Sequence, residues 1–124
     1  MAYHALVTKE LADLLAVLSH PHRVRIVAEL RDDERGVNVL QQLLGISHSG
    51  VSQHLSVLRA HRVVAERREG RHVYYRLRQP ELARWLLGAT AFLEGTSVQS
   101  ASIREAIDHV RADWSRPAVQ PASA

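Results

Sequence analysis

The chain has 124 residues, 46% of them hydrophobic and 23% charged, which is enough for one globular domain with a buried core. It contains no cysteine, which excludes disulfides, thiolate metal sites and cysteine nucleophiles. The formal net charge is +3, and since arginine supplies nearly all of the positive charge, the balance weakly favours a nucleic-acid partner.

Targeting and catalytic motifs are missing from the sequence. No apolar run approaches the roughly 18 residues that a membrane span needs, and residues 1–4 do not begin the basic-then-apolar pattern of a secretion signal. Glycine-rich phosphate loops, Ser-x-x-Lys and His-Glu-x-x-His patterns do not occur. We therefore predict a cytoplasmic protein that has no membrane partner and is not an enzyme.

Two helices are predicted before residue 31. The first, over residues 7–18, has a broader apolar face than one small domain usually covers, so we expect a second chain to cover part of it. Burial in the protomer's own core is the alternative. Pro21 suits the first position of the second helix, which runs to about residue 30 and is followed by a charged loop over 31–36. His20 and His22 could chelate a metal, but we expect a structural role in capping this helix.

A helix-turn-helix arrangement is predicted for residues 37–60. Apolar residues indicate a short helix over 37–44, which Gly45 would end as a C-terminal cap. Ser47 is placed to accept a hydrogen bond from the backbone N–H of Ser49 or Gly50 and so begin the next helix. Two helices joined by a short glycine-containing turn form a common DNA-binding motif.

The helix predicted over residues 46–59 has two faces of opposite character. Val51, Leu55 and Leu58 recur at i, i+4 and i+7 and form an apolar stripe. The other face carries serines and Gln53 and no acid, so it can approach phosphates and base edges in the major groove, with Gln53 best suited to pair with adenine. The predicted DNA contacts of this segment are Ser47, His48, Ser49, Ser52, Gln53, His54 and Ser56.

A β-hairpin is predicted next, with strands over 63–68 and 71–77 around a tight turn at Glu69 and Gly70. Val73, Tyr75 and Leu77 alternate with polar residues, as in a half-buried strand. Beside a helix-turn-helix, such a hairpin acts as a wing that contacts phosphates or a minor groove; an ordinary solvent-exposed basic hairpin is the alternative. The predicted wing contacts are Arg67, Arg68, Arg71 and His72.

Two further helices and a tail complete the prediction. Pro80 would begin a helix over 80–94, followed by a small-residue linker over 95–101. Ser102 and Glu105 have the spacing of a capping box, which predicts that the last helix starts there. We expect one domain for DNA binding and dimerisation over residues 1–115. Residues 116–124, rich in proline and small residues, are predicted to be a disordered tail.

These segments resemble the ArsR/SmtB family of winged-helix bacterial repressors over residues 8–95. The matching motifs are LSHPHRVRI at 18–26, LGIS at 44–47, VSQHLSVLR at 51–59 and EGRHVYYRL at 69–77. The resemblance implies a mainly α-helical, winged helix-turn-helix fold with a small β-hairpin. It also implies a homodimer, joined through its first and late helices, that reads an inverted repeat in successive major grooves of double-stranded DNA. The interface residues assigned in this way are Leu11, Leu14, Leu15, Leu18, Trp85 and Phe92.

The sequence departs from the family pattern in three places. Residues 37–39 stand where the resemblance places a thiolate site, and their side chains cannot bind a soft metal. The helix over 80–94 lacks the histidines of the family's late-helix metal site. Many members carry glycine just after the recognition helix, where this chain has His61-Arg62-Val63; the arginine would cost up to ~1 kcal/mol if that position is left-handed.

Eight histidines leave a metal response open. In the last helix, Glu105, His109 and Asp113 stand at i, i+4 and i+8, and this row could bind Ni(II) or Zn(II); a solvent-exposed polar face is the alternative. If Met1 is removed, the free amine of Ala2 and the imidazole of His4 could wrap Cu(II) or Ni(II) together with two backbone amides.

The patterns together predict a sequence-specific, dimeric DNA-binding regulator, a repressor that lacks the family's cysteine metal site and requires no cofactor. Two alternatives stay open. One is a regulator of the same fold that responds to nickel or zinc through histidines and carboxylates. The other is a winged-helix module whose late helices bind a second protein and which does not bind DNA, so it would show no salt-dependent binding to a duplex.

Overall fold

Six α-helices and three short strands form the part of the computed structural model that is described, residues 2–93 and 100–116. The helices are α1 (Tyr3–Leu18), α2 (Pro21–Glu29), α3 (Val37–Leu44), α4 (His48–Ala60), α5 (Glu81–Ala89) and α6 (Ser100–Ser115). The strands are β1 (Arg35–Gly36), β2 (Val64–Glu69) and β3 (His72–Leu77), and a short 3-10 helix, Thr90–Phe92, follows α5. The predicted fold, mainly α-helical with a β-hairpin beside a helix-turn-helix, is confirmed.

The ends of several elements differ from the prediction. α1 begins at Tyr3 rather than near residue 7. α6 begins at Ser100, so Ser102 lies inside the helix and the predicted capping box is wrong. Arg116, the first residue of the predicted tail, donates from its guanidinium to Asp113 Oδ1 at 3.0 Å. The rest of that tail, residues 117–124, and residues 94–99 of the predicted helix end and linker lie outside the described residues.

The core forms where α2, α4 and the sheet meet. Val51, Leu55 and Leu58 are 0% exposed, which confirms the apolar stripe predicted for α4, and each such side chain contributes about 1.5–3 kcal/mol by leaving water. From α2, Ile26 and Val27 are likewise 0% exposed. This packing fixes the orientation of α4 on the body of the protomer. Among the described helices, none has the length and hydropathy that crossing a membrane requires.

The sheet is antiparallel, with β3 between β1 and β2. β2 and β3 pair from Val64 opposite Leu77 to Glu69 opposite His72, so the turn consists of Gly70 and Arg71, one residue later than predicted. Gly70 has φ +60°, as a two-residue hairpin turn with glycine at its first position requires. β1 was predicted to be a loop, and that prediction was wrong because two residues are too few to show an alternating pattern.

A buried ion network holds the connection between α2 and β1. Glu29 is 5% exposed and accepts hydrogen bonds from Arg25 Nε at 3.0 Å and Arg31 Nη1 at 3.2 Å. Arg35, itself 8% exposed, donates from Nε to the Glu29 carbonyl oxygen at 2.7 Å. Buried charges are tolerated when they are paired and hydrogen-bonded in this way. The network therefore sets the position from which β1 pairs with the hairpin.

Candidate nucleic-acid interface

Two local caps build the turn between α3 and α4. Gly45 ends α3 in the left-handed conformation, with φ 68°, and its N–H donates to the Gln41 carbonyl oxygen at 2.9 Å. Ser47 Oγ accepts a hydrogen bond from the Gly50 N–H at 3.1 Å and begins α4. Both predicted caps are confirmed. A Cβ at position 50 would lie 3.2 Å from Ser47 Oγ, so glycine leaves room for the cap.

α4 presents a small, uncharged polar face to solvent. Ser49, Gln53 and Ser56 are exposed and Ser52 is half-buried, while the apolar stripe lies in the core. No acidic residue occurs anywhere in His48–Ala60. Hydroxyl and amide groups at this exposure can reach base edges, and the face carries no carboxylate to repel phosphates.

His54, predicted to contact DNA, lies on the other side of α4 from the exposed serines and Gln53. Its ring centroid is 4.4 Å from that of His20 and 5.6 Å from that of His22, and its Nδ1 lies 3.3 Å from Arg23 Nη1. Desolvation, followed by the charges of His20 and Arg23, lowers the pKa of His54 below its usual range. The residue follows Val51 by three positions, and that helical spacing already indicates the buried side. His54 therefore joins α4 to α2.

His20 caps α2, as its position before Pro21 predicts. Its Nδ1 accepts a hydrogen bond from the His22 backbone N–H at 3.1 Å. His20 adopts extended backbone geometry and Pro21 occupies the first turn. The same imidazole therefore begins one helix and packs against the recognition helix.

Arg67, predicted as a wing contact to DNA, is engaged by carboxylates of the same chain. Its Nε donates to Glu34 Oε2 at 3.1 Å, its Nη1 donates to Glu69 Oε2 at 2.7 Å, and its guanidinium carbon lies 4.5 Å from the centroid of the Tyr74 ring. Hydrogen bonding to Glu34 and then to Glu69 raises the pKa of Arg67, and the same bond lowers the pKa of Glu34. Arg67 therefore fastens the wing to the segment before β1.

The other predicted wing residues remain accessible. Arg71 and His72 are exposed at the tip of the hairpin. The Arg68 side chain is 71% exposed, and its Nε lies 3.6 Å from Glu66 Oε1, which is too long for a firm hydrogen bond. These side chains can meet phosphates without first losing a buried partner.

A polar cleft connects the wing to the helix-turn-helix. It encloses about 330 Å³ and is lined by two arginines, two histidines and no carboxylate. The polar residues of the lining are Asn38, His48, Ser52, Arg68, Arg71 and His72. Asn38 was not predicted as a contact; its place in the first turn of α3, next to the recognition helix, is the signal that indicates it. The cleft gathers donors from α3, α4 and the hairpin of β2 and β3.

A wide apolar face lies on α1 and the α5 region. Leu11, Leu15 and Trp85, all predicted interface residues, are 53%, 51% and 53% exposed, and Phe92 is 76% exposed. Four other large apolar side chains are also exposed: Tyr3, Leu6, Val7 and Leu93. Exposed apolar area of this extent indicates an interaction site.

Two residues predicted for the same interface pack inside the protomer instead. Leu18 is 4% exposed and belongs to the core, which corrects its assignment. Leu14 is half-buried against that core. Leu14 and Leu18 therefore pack toward the protomer, while Leu11 and Leu15 of the same helix stay exposed.

The predicted metal ligands are not assembled into a site within residues 2–93 and 100–116, where no group of three or more histidines and carboxylates could hold an ion. Asp113 is paired with Arg116, its Oδ1 3.0 Å from Nη2. His4 lies in the first turn of α1, so chelation by Ala2 and His4 would require that turn to unwind.

Comparisons with known proteins find relatives over much of the chain. A family profile described as a helix-turn-helix domain matches residues 18–67. The HTH-type transcriptional repressor SmtB of Mycobacterium tuberculosis is 43% identical over 79 residues, which are 64% of this chain and 58% of that relative. The chain therefore spans less than two thirds of the length of that relative.

In solved structures the similarity extends over nearly the whole length of the matched chains and about three quarters of this one. The transcriptional repressor BigR from Xylella fastidiosa superposes with a TM-score of 0.65 at 33% identity, covering 74% of this chain and 96% of BigR. The homodimeric winged helix-turn-helix DNA-binding domain of Mb0332 from Mycobacterium bovis, an ArsR-family candidate, superposes with a TM-score of 0.65 at 26% identity. That match covers 78% of this chain and 91% of the domain.

Proposed function

The chain belongs to the ArsR/SmtB family of winged-helix transcriptional regulators, and from this premise we propose that it is a sequence-specific, dimeric DNA-binding repressor. The observation that carries the proposal is the exposed, acid-free face of α4 beside the cationic cleft. A helix with such a face fits the major groove, which is about 12 Å wide in B-DNA.

We assign base reading to the centre of α4. Gln53 is exposed at the middle of the helix, and an amide can bond adenine at two positions at once. Ser49 and Ser56 lie on the same exposed side and can donate or accept hydrogen bonds. Contacts of this kind distinguish one sequence from another, because the major groove presents a different donor and acceptor pattern for each base pair.

Phosphate contacts are assigned to the cleft and the wing. Arg68, Arg71 and His72 lie at one edge of the cleft, and His48 and Asn38 lie at the other. Contacts to phosphate position the protein on the duplex without selecting a sequence, and each adds to the salt dependence of binding. Base reading and phosphate binding are therefore carried by different elements.

The apolar face of α1 and α5 is proposed to join two copies. A two-fold interface places the same patch of each protomer against its equivalent, and the two recognition helices then face the same side of the DNA. Dimeric readers of this class bind half-sites about one helical turn apart, so the expected operator is an inverted repeat. We expect the dimer bound at such a site to block the promoter. Blocking requires no catalysis, and it takes place in the cytoplasm, where bacterial DNA lies.

Selection of bound fragments from genomic DNA, followed by fluorescence anisotropy titration, tests the proposal. We expect one enriched inverted repeat, and an affinity for it that exceeds that for a scrambled duplex by at least about 1000-fold. Both affinities should fall steeply between about 50 and 200 mM salt. A chain that binds neither duplex, at either salt concentration, would instead support a winged-helix module for protein interaction.

A further inference from the structure

A large groove lies on the opposite side of α2 from the core, between the α1–α2 corner and α6. Its volume is about 1100 Å³, slightly above the usual range for small-molecule sites. Val24 on α2 and Val110 and Trp114 on α6 form its apolar walls, and all three side chains are half-buried. None of the large exposed residues of the apolar face lines it, so the groove and that face consist of different residues.

The groove carries a surplus of positive charge. Asp113, the carboxylate among its described lining residues, is paired with Arg116 at 3.0 Å. Arg25 also lines the groove, and its Nε binds Glu29. Glu29 does not itself line the groove, whose described lining has two guanidinium groups, those of Arg25 and Arg116, and one carboxylate. The lining therefore carries net positive charge at the groove edge. An apolar channel with such an edge complements a molecule that has an apolar body and an anionic end.

His20 connects the groove to the recognition helix. Its side chain lines the groove, its Nδ1 caps α2, and its ring lies 4.4 Å from that of His54 on α4. A ligand that displaces this imidazole must therefore disturb either the start of α2 or its contact with α4. Such a shared side chain gives the two sites a physical contact through which binding at one can affect the other.

We propose that the groove binds a small amphipathic carboxylate, with its apolar body between Val24 and Trp114 and its carboxylate beside Arg25. We further propose that binding changes the affinity for DNA through the contact between His20 and His54. The coupling rests on the proposed function, whereas binding of the carboxylate does not. The ligand class is an aryl or acyl carboxylate, and the site lies away from the DNA-binding surface.

Isothermal titration of the full chain with 2-naphthoate, and with neutral 2-naphthalenemethanol, tests the site. We expect naphthoate to bind at least tenfold more tightly than the alcohol, because Arg25 adds a charge-assisted hydrogen bond. Arg25→Gln should remove this preference. Trp114→Ala should weaken both compounds about equally. Arg104→Gln, which changes an exposed arginine on the same helix outside the groove, should leave both affinities unchanged.

Three results would overturn the site. They are equal binding of the two compounds, unchanged naphthoate binding in Arg25→Gln and Trp114→Ala, and a naphthoate affinity that falls as protein concentration rises. The last result would show that a second copy of the chain occupies the groove.

Anisotropy titrations of the selected operator, with and without saturating naphthoate, test the coupling. We expect the DNA affinity of the unchanged chain to shift at least fivefold. In His54→Ala the ratio of the two affinities should return to one, although naphthoate still binds. A ratio near one in the unchanged chain would refute the coupling. Naphthoate binding without any operator binding would refute the proposed regulator and support the site.

Discussion

The recognition helix and the first helix use their leucines in opposite ways. On α4, Leu55 and Leu58 are 0% exposed and hold the helix against the core. On α1, Leu11 and Leu15 are 53% and 51% exposed and contact little of the protomer. Apolar side chains contribute to stability only when they leave water. The packing of α4 is therefore complete within one chain, whereas that of α1 is not. In the proposed dimer, α1 acquires the rest of its burial from a second copy.

The largest effect is expected on α1. Leu11→Glu should raise the dimer dissociation constant several-hundred-fold, because a central contact is worth roughly 2 kcal/mol and a two-fold interface contains it twice, about 4 kcal/mol together. Analytical ultracentrifugation measures this. Ala16→Glu, which adds the same charge one turn after Asp13, is the matched control and should leave the dimer intact. Equal effects of the two changes would place the interface elsewhere.

The next largest effect is expected on α4. Leu55→Ala should lower the free energy of unfolding by about 3 kcal/mol, because Leu55 is 0% exposed and its truncation leaves a cavity in the core. Urea denaturation measures the loss, with Ser56→Ala, an exposed neighbour on the same helix, expected within about 0.5 kcal/mol of the unchanged chain. A loss below ~1 kcal/mol for Leu55→Ala would mean that α4 is not anchored as described.

A smaller effect is expected where α4 ends. Arg62 has φ 61°, in the left-handed region, and it is the non-glycine residue with positive φ in the described part of the chain. Arg62→Gly should raise the free energy of unfolding by up to about 1 kcal/mol, since glycine adopts this conformation without the Cβ clash. Arg62→Ala keeps the clash and should give no gain. Stabilisation of equal size by alanine would show that the arginine side chain, rather than φ, carries the cost.

The smallest effect concerns the contact between α4 and α2. The pKa of His54 is lowered in the folded protein, so its neutral form contributes stability that is present above the usual histidine pKa and is lost as the pH falls through the lowered value. His54→Gln cannot titrate, so its stability should fall less than that of the unchanged chain between about pH 7.5 and pH 5.5. Urea titrations at both pH values compare the two chains, and identical losses would contradict the assignment.

Local features of the fold could be predicted from the sequence because each depends on a few adjacent residues. Gly45 and Ser47 were placed by capping chemistry. The cost expected at Arg62 depended on a left-handed backbone there, and its positive φ meets that condition. The stripe of α4 followed from helical spacing alone.

The remaining features depend on contacts between distant segments. Arg67 meets Glu34 across 33 positions, and only the folded hairpin reveals that this arginine is paired. β1 exists because β3 offers it an edge, not because of its own two residues. Leu18 and Leu11 have the same residue type on the same helix, and only the position of α2 decides which of them is buried.

The assignment of base reading to α4 and phosphate binding to the wing is tested most directly by one set of duplex titrations. The selected operator and a scrambled duplex are titrated with Gln53→Ala, Arg71→Gln and Arg67→Gln at two salt concentrations. Gln53→Ala should lose about 1–3 kcal/mol on the operator and almost nothing on the scrambled duplex. Arg71→Gln should weaken both duplexes and reduce the salt slope by about one, while Arg67→Gln should leave the slope unchanged. Equal losses of Gln53→Ala on both duplexes would contradict the central claim that α4 reads the sequence.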